Sequence, residues 1–76
     1  MKKVKIKLET IQDIRDFVNI MSTQTVDIDL CSGRYVVDAK SIMGIFSLDL
    51  LKPIDMTIHS DDCEDLLKAI DRFIVK

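Results

Sequence analysis

Between residues 2 and 8, Lys3, Lys5 and Lys7 alternate with Val4, Ile6 and Leu8. A period of two predicts a strand with one buried face. The period then changes, because Ile11, Ile14, Phe17, Val18 and Met21 recur at three- and four-residue spacings. That stripe predicts a helix over 11–21. Thr10 stands at its N-cap, and Asp13 follows where a carboxylate favours the positive end of the helix dipole.

Alternation returns over 24–31, with Val26, Ile28 and Leu30 pointing one way and Asp27 and Asp29 the other. Ser32-Gly33-Arg34 supplies a turn, since Gly33 takes a positive φ without steric cost. Tyr35-Val36-Val37 continues as a second strand, so 24–38 is expected to form a hairpin. Ser41 can cap a short helix through Ile42-Met43-Gly44-Ile45-Phe46, in which Gly44 weakens the intrinsic helicity. Lys52-Pro53 breaks the pattern before Ile54, Met56 and Ile58 alternate with Asp55, Thr57 and His59. Last comes the cleanest helical stripe, Cys63, Leu66, Leu67, Ile70, Phe73 and Ile74, with Asp61 and Glu64 at capping-box spacing. The expected order is β-α-β-β-α-β-α in a single domain, 1–76. Such elements pack as a two-layer α+β sandwich whose four-stranded antiparallel sheet is bare on one side.

Composition narrows the function. A hydrophobic content of 47% in 76 residues supports one small core, with 32% charged residues on its surface. The formal net charge of −2 gives no basic field, so no nucleic-acid partner is expected. No apolar run is long enough to span a bilayer, and no signal region follows the basic start, so no membrane insertion and a cytoplasmic location are expected. Cys31 and Cys63 lie in no CxxC or histidine-containing cluster and are expected to be reduced. Asp27, Asp29 and Asp55 alternate on a strand face shared with lysines, which predicts a salt-bridged, solvated surface rather than a metal or acid–base site. His59, the one histidine, falls by parity on that same outer face. No metal and no cofactor are expected.

Asp38-Ala39-Lys40-Ser41-Ile42-Met43-Gly44-Ile45-Phe46-Ser47-Leu48 resembles the regulatory-serine segment of HPr, the phosphocarrier of the bacterial sugar phosphotransferase system. Members show an A-K-S-[IL]-[MF] run followed by alternating hydrophobics. The element order and length also resemble the family's, so the resemblance implies an HPr-like open-faced sandwich. The family's G-L-H-A-R-P-A run is missing. Counted back without gaps from Ser41, the phosphoacceptor histidine falls on Thr10 and the active-site arginine on Gln12. An imidazole is nucleophilic near neutral pH and passes phosphate onward, whereas a threonine ester is a poor donor. Glutamine offers phosphoryl oxygens no fixed positive charge. Histidyl phosphotransfer, and hence a catalytic residue, is not expected.

The resemblance also implies roles for other residues. Ser41 becomes a candidate for regulatory phosphorylation, where added negative charge would meet a helix N-terminus. Ile42, Met43 and Phe46 become candidates for partner docking, since a short helix cannot bury apolar residues around its whole circumference. The implied partners are phosphotransferase-system proteins, a serine kinase or a transcriptional regulator, engaged by a monomer or weak oligomer. Two other readings stay open: a divergent phosphocarrier using another acceptor, and a small-molecule-binding α+β domain.

Overall fold

A computed structural model describes residues 1–75; Lys76, the end of the expected domain, lies outside the described residues. The elements are β1 (Lys2–Ile6), α1 (Ile11–Met21), β2 (Ile28–Ser32), β3 (Tyr35–Asp38), α2 (Ile42–Phe46), β4 (Ile54–Ile58) and α3 (Glu64–Ala69), followed by a 3₁₀ turn at Asp71–Phe73. The expected order holds throughout.

All strand pairs are antiparallel, in the order β1-β4-β2-β3. β4 thus enters the sheet between β1 and β2, and its Ile54, Met56 and Ile58 are completely buried. Ile14, Phe17 and Met21 of α1, Ile45 of α2 and Leu66 of α3 join them, so the helices share one face of the sheet. Phe73 packs edge-on against Phe17, with ring centroids 5.8 Å apart and planes at 83°. The other face is bare. Its registered rows read Lys3, Thr57, Asp29, Asp38 and Lys5, Asp55, Cys31, Val36. The period-two pattern therefore segregates faces as expected, giving an α+β open-faced sandwich.

Local chemistry explains several boundaries. Thr10 Oγ1 accepts a hydrogen bond from Asp13 N at 3.0 Å, which starts α1 at the expected residue. Ser32 pairs with Tyr35 across a two-residue loop, and Gly33 has φ +61°. With no other positive φ among the described residues, this is the sign pattern of a type II′ turn.

Other boundaries differ from the periodicity. β1 stops at Ile6, before Lys7 and Leu8, although Leu8 is still buried. β2 begins only at Ile28, because residues 24–27 find no strand partner. Ile11 is exposed despite its place in the stripe, since it lies at the very start of α1. At α3 the N-cap position is Cys63 and no side chain caps it. Asp61 is instead drawn to the amino group of Met1, which lowers its carboxyl pKa. The last apolar stripe is not one helix. α3 ends at Ala69, and Ile74 bridges Ile6 as an extended residue. Lys7 N donates to Phe73 O at 2.8 Å and Val75 N to Lys5 O at 2.9 Å, so hydrogen bonds to the β1 edge replace those a longer helix would make.

Candidate functional site

Thr10 is exposed, but its hydroxyl oxygen is committed to capping α1. Gln12 donates through Nε2 to Asp16 Oδ1 at 2.8 Å, one helical turn on. Asp16 Oδ2 accepts from Arg72 at 2.7 Å, and that guanidinium lies 4.4 Å over the Phe73 ring. The bond from Arg72, then that from Gln12, holds the Asp16 carboxyl below its usual pKa. Gln12, Asp16 and Arg72 thus form a chain of polar contacts along the exposed side of α1. It ties the last turn of the protein to its first helix.

Ser41 caps α2 as expected: its Oγ accepts from Gly44 N at 3.1 Å. Gly44 has a structural reason to sit inside the helix. A Cβ there would lie 3.1 Å from both Ser41 Oγ and the Val37 side chain. The missing side chain lets α2 approach β3 and keeps space open beside the Ser41 hydroxyl. The three apolar candidates separate. Ile42 is half-buried against the core, whereas Met43 is 76% and Phe46 44% exposed. α1 touches α2, and Lys7 Nζ donates to the carbonyls of Leu50 (3.1 Å) and Leu51 (2.7 Å), tying the loop after α2 to the segment entering α1. Exposed apolar side chains therefore stand at the start of α1 (Ile11), on α2 (Met43, Phe46) and in the following loop (Leu51).

His59 lies beyond the end of β4, with its Nε2 2.9 Å from Asp29 Oδ2 and its backbone N–H donating to Asp27 O at 3.0 Å. By strand parity it extends the bare face, with the sheet between it and α1. The same face carries the Lys5–Asp55 pair at 3.7 Å and a shallow hollow of about 490 Å³ lined by Lys3, Lys5, Cys31, Asp55 and Thr57. Cys31 is half-buried and Cys63 buried, both as free thiols.

No protein-family model matches the chain, and no curated protein sequence does. Solved structures do match. HPr-C-His from Thermoanaerobacter tengcongensis is 29% identical with a TM-score of 0.78, over 95% of this chain and 89% of that one. The phosphocarrier protein HPr from Bacillus anthracis str. Ames is 28% identical with a TM-score of 0.71, over 97% of this chain and 94% of that one. The chain is HPr-like.

Within the HPr-like fold, the sequence pointed correctly to two helix caps, Thr10 and Ser41. It did not point to Arg72, which sits in a stretch read as plain helix and reaches a residue 56 positions away. Nor did it single out Lys7, which reads as one more solvated lysine of an alternating strand. Ile11 and Leu51 were missed for a related reason: exposure of an apolar residue at an element's end depends on what packs beside it. Among the described residues, no helix is long and apolar enough to cross a membrane.

Proposed function

We propose that this HPr-like chain, 1–76, is a protein-binding module that docks phosphotransferase-system proteins through α2 and does not itself relay phosphate. The observation that carries this reading is the placement of its one histidine. His59 is paired with the Asp29 carboxylate on the sheet face away from α1, while the N-cap of α1 is a threonine whose oxygen already accepts a bond. A carboxylate beside an incoming phosphoryl group repels it rather than stabilising it. Where the resemblance places an arginine, Gln12 is neutral and bound to Asp16.

Docking is supported by Met43 and Phe46, which stand clear of the core on a helix whose other apolar residues face inward. Methionine adapts to differently shaped partners. Ser41 is the regulatory position of this surface. Phosphorylation by a serine kinase would add nearly two negative charges where Gly44 leaves room, changing the field that a partner such as a transcriptional regulator meets.

The deciding experiment incubates the chain with phosphoenolpyruvate and the general phosphotransferase enzyme. No acid-labile phosphate is expected on the protein, and label on His59 would return the chain to the carriers. Docking is checked with Phe46→Asp, which should lose capture of phosphotransferase-system proteins from a bacterial extract while its circular dichroism is unchanged. Intact mass after treatment with the serine kinase and ATP reads the Ser41 assignment.

A further inference from the structure

The two edges of the sheet are finished differently. β1 carries Lys2, Lys3 and Lys5, and the segment 73–75 returns to cover it through the Ile6–Ile74 bridge and its flanking hydrogen bonds. β3 carries neither lysine nor proline, and among the described residues no segment pairs with its outer side. Unprotected edges invite a further strand. Tyr35 and Val36, on opposite faces of this edge, are 68% and 62% exposed.

Register identifies the outward groups. Ser32 pairs with Tyr35 and Leu30 with Val37, and Ala39 N donates to Ile28 O at 3.0 Å. Residues 35, 37 and 39 therefore turn their backbone polar groups toward β2, and alternation turns those of Val36 and the N–H of Asp38 outward. The Asp38 carbonyl is occupied by Ser41 N at 3.0 Å.

We propose that β3 pairs antiparallel with β3 of a second copy of this chain, centred on Val36, to make a two-fold dimer with a continuous sheet. The segment Arg34-Tyr35-Val36-Val37-Asp38 is complementary to itself when reversed about Val36. Arg34 comes opposite the second copy's Asp38, twice by symmetry, while Val36 faces Val36 and Tyr35 faces Val37. The Val36 amides exchange hydrogen bonds, and each Asp38 N–H meets an Arg34 carbonyl. Sliding the strands by two residues loses both ion pairs; sliding by four sets Arg34 against Arg34 or Asp38 against Asp38. The Asp38 carboxylate is held at the edge by Lys40 N, which donates to its Oδ1 at 2.8 Å. One short ladder is smaller than a standard interface, so the association is weak.

Sedimentation equilibrium of the full chain up to about millimolar concentration should show the mass rising from 8.7 kDa toward twice that value. Arg34→Asp and Asp38→Arg should each weaken self-association about tenfold or more by facing like charges across the ladder. An equimolar mixture of the two should restore it, because both cross-strand pairs again unite opposite charges. Val36→Pro removes an outward N–H that β2 does not use, so it should stay folded by circular dichroism and remain monomeric. Either charge variant that fails to fold leaves the decision to Val36→Pro. A wild type monomeric at the highest concentration, a Val36→Pro variant that dimerises like wild type, or a mixture of folded charge variants no tighter than each alone overturns the proposal.

Discussion

Thr10→Val is the sharpest test of how the start of α1 is built. The substitution keeps the shape of an exposed side chain and removes only the hydroxyl that accepts from Asp13 N at 3.0 Å. The first backbone bond of the helix, Ile14 N to Thr10 O at 3.1 Å, remains. So does the bond from Glu9 N to Asp13 Oδ2 at 3.2 Å. One orphaned N–H therefore sets the cost, about 1 kcal/mol. For a domain of this size that lowers the melting temperature by about 4–8 °C. The fraying end leads directly to Ile14 and Phe17, so it is coupled to global unfolding rather than absorbed locally. Urea unfolding followed by circular dichroism should show a lower midpoint at unchanged slope, with Thr10→Ser close to wild type. If Thr10→Val melts with wild type, or Thr10→Ser falls as far, the hydroxyl is not holding the helix.

Three further outcomes follow from the packing and charge. Phe17→Ala empties a fully buried ring site against Phe73 and should cost about 3–5 kcal/mol, most of the stability of so small a domain, as urea unfolding will read. Gly33→Ala meets no atom within 4 Å but must hold φ +61°, so it should cost about 1–2 kcal/mol by the same measurement through backbone strain alone. The Asp16 carboxyl, held below its ordinary 3.8, contributes stability above that value and loses it as pH falls through the lower folded-state pKa. A carboxyl titration by NMR should find the Asp16 midpoint depressed in wild type and raised in Arg72→Gln; an unchanged midpoint would mean that the Arg72 hydrogen bond does not form in solution.

The order of elements, the faces of the strands, the limits of α1, the glycine turn and the caps at Thr10 and Ser41 were all legible in the residues alone. These rest on interactions between residues a few positions apart, whose geometry is written in spacing and residue type. Long-range packing, by contrast, sets β4 between β1 and β2, breaks the final apolar stripe after Ala69 so that Ile74 can reach Ile6, and leaves Asp61 capping nothing. It also decided that His59 finds Asp29, 30 residues away, and that Arg72 finds Asp16, 56 residues away. Periodicity tells a side chain which face to join. Which edge stays open, and which charges meet there, depends on where distant segments stack, and local pattern carries no record of that.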